Sequence, residues 1–144
     1  MVVGILFVWG ITKTFGHGDT QVRALQNVDI KLEAGSVAAL LGPSGSGKST
    51  LNKALGLVDL PDQGTIFLHG KKIVDQGVTL TNINALRRNE LGFVFQKANL
   101  ISFLSARKNI EIAAEVGGNG NPSTRATELD VFDLIHDMED GRLS

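Results

Sequence analysis

Residues 42–49 read GPSGSGKS, which meets the pattern G-x-x-x-x-G-K-[ST] at every fixed position. Chemistry that needs these residue types at this spacing is the binding of a phosphate chain. Gly42, Gly45 and Gly47 let the backbone turn tightly enough for successive N–H groups to point inward, and side chains there would obstruct an anion. Pro43, Ser44 and Ser46 complete the loop, and all of its members are expected to line the ligand. Lys48 brings a mobile cation to the outer phosphates. The Ser49 hydroxyl is a hard oxygen suited to Mg2+, and Thr50 is a further phosphate contact.

Such a loop works only if a strand delivers it and a helix leaves it. Residues 37–41, VAALL, form a short apolar run that reads as a central parallel strand covered on both faces. Residues 50–55 have helical composition, which gives out at Gly56 and Pro61, and this helix turns its positive end to the same pocket. Upstream, the apolar residues 1–11 read as a buried strand. They are too few to span a bilayer and lack the basic start and cleavage site of a signal peptide; a misassigned start, with unnatural residues before Ile11, is the alternative.

Residues 12–18 read as a turn-rich segment, and Leu25, Val28, Ile30 and Leu32 alternate as in a second strand. Downstream, residues 65–68 read as a strand, 82–89 as a short helix and 91–95 as a strand ending at Gln96. Ser105 is placed to cap a helix running to about Val116. GGNGNPS at 117–123 is a connector, and Leu129, Phe132 and Ile135, recurring at every third position, predict an amphipathic helix.

The bulk properties narrow the function classes. With 144 residues, 42% hydrophobic and 20% charged, the chain has the composition of one globular domain. A formal net charge of −1 argues against a nucleic-acid partner. The absence of cysteine excludes disulfides, thiolate metal sites and cysteine nucleophiles, and is compatible with a reducing cytoplasm.

Several segments together resemble the ATP-binding subunits of ABC transporters, over nearly the whole chain. TKTFG at 12–16 is similar to the family's adenine-stacking segment with Phe15 at the aromatic position, and VRALQNVDIKLEAGSVAALLGPSGSGKSTL follows in the family's order. A flat ring against a base is sensible, since every base offers a face. PDQGTIFLHGKKI at 61–73 resembles the strand and turn after the P-loop helix, and LGFVFQKANL at 91–100 resembles the Q-loop. The resemblance implies that Gln96 joins Ser49 at Mg2+ and senses the terminal phosphate of ATP. LRRNELGFVFQ and NLISFLSARKNI are similar to the lipoprotein-release, macrolide-efflux and glycolipid-export subfamily, which makes residues 99–109 the expected coupling surface.

The implied fold class is α/β: a P-loop NTPase core with an N-terminal antiparallel β portion and the start of a helical subdomain, truncated. Residues 1–98 are expected to form a partial nucleotide-binding core and 99–144 a partial helical subdomain. The implied partners are a transmembrane permease subunit and a second ATP-binding subunit in a dimer. The implied location is cytoplasmic, peripheral on the inner face of the plasma membrane.

The family's LSGGQ-type signature, its apolar strand ending in Asp-Glu and its switch histidine have no counterpart in this sequence. LDVFD at 129–133 is a poor substitute for that strand, because its spacing is helical, and His17, His69 and His136 receive no catalytic role. Lys48 and Gln96 therefore contribute to a catalytic set that is incomplete, and ATP binding with very slow turnover is expected. Loss of the aspartate-bearing strand is also expected to bare an apolar edge and leave the isolated chain marginally stable. The alternative function is a non-catalytic nucleotide-binding or permease-docking fragment. An unrelated P-loop kinase or GTPase is disfavoured by FVFQ and by the Phe15 segment.

Overall fold

A computed structural model describes residues 4–93, 100–116, 134–139 and 141–143. Packing divides the chain into two units, residues 1–82 with 130–144 and residues 83–129.

In the first unit the longest elements are β1 (Gly4–Phe15) and β2 (Val22–Glu33), joined through a single 3-10 turn. They lie in an antiparallel sheet with β4 (Gln63–Leu68), β5 (Lys71–Asp75) and β6 (Val78–Thr79), in the order β2-β1-β4-β5-β6. The start of the chain differs from the expected buried strand. Leu6 and Val8 are buried, whereas Ile5, Phe7 and Trp9 are exposed, Trp9 by 64%. An antiparallel sheet rests one face on the core and turns the other outward, so alternate residues of an apolar run emerge. β1 also continues through Phe15, where a turn-rich segment was expected, because Lys13, Thr14 and Phe15 find partners in Leu25, Arg23 and Val22.

The inner face of this sheet carries Leu6, Val8, Ile11, Leu25, Val28, Ile66 and Ile73, all buried. Helix α1 (Lys48–Leu55) adds Leu51 and Ala54 to the buried set, and Leu57 follows at 2% exposed although its φ is +56°. Burial of a leucine side chain, at about 1.5–3 kcal/mol, offsets the strain of that backbone conformation.

A second sheet contains β3 (Ala38–Leu41), β7 (Leu134–Glu139) and β8 (Arg142–Leu143). β3 and β7 run parallel, with Ala38 opposite Leu134 and Leu41 opposite Asp137. The parallel strand before the loop is thus present, but not covered on both faces: Ala38 and Leu41 are exposed, Leu41 by 48%. β7 corrects the expected amphipathic helix at Ile135, since the backbone groups of β3 need partners that a helix could not offer. Leu129 and Phe132 lie outside the described residues.

In the second unit, α2 (Ile83–Glu90) and α3 (Ala106–Val116) are helical. Ser105 caps α3 as expected, its Oγ accepting the Lys108 N–H at 3.2 Å. Asn109 Nδ2 adds donations to the carbonyls of Ile101, Leu104 and Ser105. Leu91, Gly92 and Phe93 have no regular secondary structure, and residues 94–99 lie outside the described residues.

One ion cluster ties β1 to the loop that follows α1. Lys13 Nζ lies 2.9 Å from Asp59 and 3.2 Å from Asp62, and donates to the Leu60 carbonyl at 2.7 Å, with its side chain only 14% exposed. Asp62 also accepts the Thr14 N–H at 2.7 Å. Burial works against the charge on Lys13, but the hydrogen bonds to Asp59 and Asp62 outweigh it and raise the pKa above the usual lysine value. A pKa raised by folding gives stability that is complete below the unfolded lysine value, about 10.4, and is lost as pH rises through the folded one. Lys13→Met is expected to cost about 1–2 kcal/mol in urea melts at pH 7, the two carboxylates being partly solvated. The gap between wild type and variant should narrow above about pH 10.4; a gap that widens there would contradict the cluster.

Candidate phosphate-binding site

The loop between β3 and α1 contains three glycines with positive φ: Gly42 at +134°, Gly45 at +84° and Gly47 at +97°. Residues other than glycine rarely adopt these angles, which accounts for the glycines locally. A Cβ built on Gly45 would meet nothing within 4 Å, so the backbone there borders open space.

Gly47 precedes α1 in the left-handed conformation and supplies no side-chain cap, and the first turn of α1 holds no acidic residue. Leu51 N–H donates to the Gly47 carbonyl at 2.8 Å, but the N–H groups of Lys48, Ser49 and Thr50 have no acceptor among the described residues. Three uncapped amides at the positive end of a helix are suited to an anion.

Lys48 Nζ folds back across the loop and donates to the carbonyls of Gly42 at 2.7 Å and Pro43 at 2.5 Å, and to Ser46 Oγ at 3.2 Å. These are neutral acceptors. Phosphate oxygens are stronger ones for an ammonium, so the same three N–H donors can be redirected to a nucleotide. Ser46 is 2% exposed and anchors the loop, its carbonyl accepting the Gly141 N–H at 3.0 Å. Sequence reasoning assigned Gly141 no part; its own carbonyl accepts the Gln26 N–H at 2.9 Å, which fastens the loop to β2.

A cleft of about 640 Å3 opens over these groups. Ser44, Gly45, Gly47, Lys48, Ser49 and Thr50 of the loop and helix line it together with Val22, Arg23 and Ala24 of β2. The cleft therefore brings most of the expected binding loop together. Ser49, exposed at its lip, carries a hydroxyl fit for a hard divalent ion.

Phe15 lies at the far end of β1, 43% exposed, with Lys13 Nζ 5.6 Å from its ring centroid. Its cross-strand partner Val22 lines the cleft, whereas Phe15 is not among the lining residues. The ring lies next to a lysine that the ion cluster fixes. Lys13, Asp59 and Asp62 were missed by sequence reasoning; the acidic pair flanking Pro61 was the available signal. Gln96 lies outside the described residues.

Comparison with known proteins adds a common pattern. The family model described as ABC transporter matches residues 25–141. The macrolide export ATP-binding/permease protein MacB of Hyphomonas neptunium is 43% identical over 108 residues, 75% of this chain and 16% of the relative. Its counterpart in Bdellovibrio bacteriovorus is 41% identical over 120 residues, 83% of this chain and 18% of the relative. Among solved structures, a dimeric bacterial ABC transporter cassette superimposes with a TM-score of 0.68 at 33% identity, covering 81% of this chain and 49% of the cassette. The same cassette in a post-hydrolysis state bound to ADP and Pi gives equal values. The chain thus spans less than a fifth of the length of these curated relatives and about half of the cassette.

Proposed function

This chain belongs to the ABC transporter family, and we propose that it is the ATP-binding part of an exporter subunit that holds Mg-ATP in the cleft above α1. The observation that carries the reading is the set of unpaired N–H groups of Lys48, Ser49 and Thr50, with the Lys48 ammonium within the same loop. In this reading the loop from Gly42 to Gly47 wraps the phosphate chain, Thr50 adds a contact, Ser49 holds Mg2+ with Gln96, and Phe15 faces the adenine. Bound Mg2+ supplies neutralisation of charge on the outer phosphates.

A permease partner and a second ATP-binding subunit are proposed on the strength of the MacB relatives, named as export ATP-binding/permease proteins, and of the dimeric cassette. No helix among the described residues is long and apolar enough to cross a membrane. A cytoplasmic position, peripheral on the inner face of the plasma membrane through the permease, is proposed with them. Residues 1–98 are proposed as the nucleotide-binding core, joined by β7 and β8, and the rest of 99–144 as part of the helical subdomain. A second reading is a nucleotide-binding or permease-docking module without catalysis.

Calorimetric titration of the folded chain with ATP in excess Mg2+ is expected to give saturable binding. Phosphate release in the same solution should stay far below the roughly 10 s−1 of a typical enzyme. Failure of the folded chain to take up ATP would sink the binding site, and turnover near that rate would sink the second reading.

A further inference from the structure

We infer that Arg23 is a second cationic contact for the nucleotide, reaching the phosphate chain from β2, where it lines the same cleft as Lys48. The inference rests on the reading of the cleft as an ATP site and goes beyond it by naming a residue outside the phosphate-binding loop. Arg23 sits on β2 opposite Thr14, one residue from the Phe15–Val22 pair. It lines the phosphate cleft together with Gly45, Lys48 and Ser49. It also lines an adjoining hollow of about 780 Å3, which shares with that cleft only Arg23 and Gln26. Arg23 therefore stands where the two cavities meet, beside the phosphate-binding loop.

The guanidinium has no hydrogen-bond or ion-pair partner among the described residues, in contrast to Lys13, Lys31, Lys72 and Arg142. An unpaired planar fork with five donors is suited to two phosphate oxygens at once, and binding there disrupts no existing pair. Because the arginine is exposed, its contribution should be screened by salt.

The test compares wild type, Arg23→Ala and Arg23→Lys in titrations with Mg-ATP and with adenosine, at low and high ionic strength. Arg23→Ala is expected to weaken ATP binding by about tenfold at low salt. Arg23→Lys should recover part of that loss, adenosine binding should not change, and the loss should shrink at high salt. Thermal midpoints without nucleotide should coincide. Equal ATP affinities of wild type and Arg23→Ala would overturn the inference while leaving the loop intact as the binding site. A loss shared equally by adenosine would show a packing role instead. No uptake of ATP by wild type would remove the premise, and the inference with it.

Discussion

Lys48→Ala is expected to weaken ATP binding by roughly 30- to 150-fold, equivalent to about 2–3 kcal/mol, in the same Mg-ATP titration. The ammonium is the one charged donor within the loop, and a charge-assisted bond to phosphate exceeds the bonds it makes to the neutral oxygens of Gly42, Pro43 and Ser46. Those bonds also compete with the ligand, so the measured loss is a difference between two occupied states of the lysine. Removing them relaxes the loop, which makes the thermal midpoint of the variant a necessary control. With Lys48→Arg the charge remains but the loop must house a larger planar group, and only partial recovery is expected. Unchanged affinity in Lys48→Ala, with the fold retained, would reject the loop as the phosphate site.

The second large effect concerns folding and lies far from the loop in sequence. Gly64→Ala is expected to lower stability by about 3–5 kcal/mol, a large part of the roughly 5–15 kcal/mol that holds an ordinary domain folded. Gly64 has φ +96°, and a Cβ there would lie 2.6 Å from the carbonyl carbon and oxygen of Gly10 and 2.7 Å from the Ile11 Cα. All of these are backbone atoms, which cannot step aside by changing rotamer. The approach occurs where the β1–β4 register shifts between Trp9 and Thr12, at the centre of the antiparallel sheet. Urea unfolding measures it directly. A shift below about 0.5 kcal/mol would mean that the two backbones are not this close in solution.

Legibility followed the range of the interactions. Gly42, Gly45 and Gly47 could be read as turn formers because their positive φ is a local requirement, and α1 and the Ser105 cap depend on neighbours within a few residues. The mixed α/β architecture and the family were legible for the same reason: short contiguous segments carry them. The half-exposed face of β1 was not, since MVVGILFVWGI is apolar throughout and only the partners of a strand decide which alternate residues meet the core. Nor could spacing show that Ile135 lies in a strand, because the third-residue recurrence suits a helix until β3 presents its edge.

By itself, then, the order of amino acids determined the phosphate-binding loop, the helix that follows it and the family to which the chain belongs, because those properties reside in runs of adjacent residues. Only the tertiary structure decided that Arg23 lines the same cleft as Lys48, that Gly141 fastens Ser46 to β2, and that Lys13 pairs with Asp59 and Asp62 while lying beside the Phe15 ring. These groups are brought together by sheet register and by burial of Leu51, Leu25 and Ile11. Their pairing is set by the free energy of the packed whole, which no window along the chain contains.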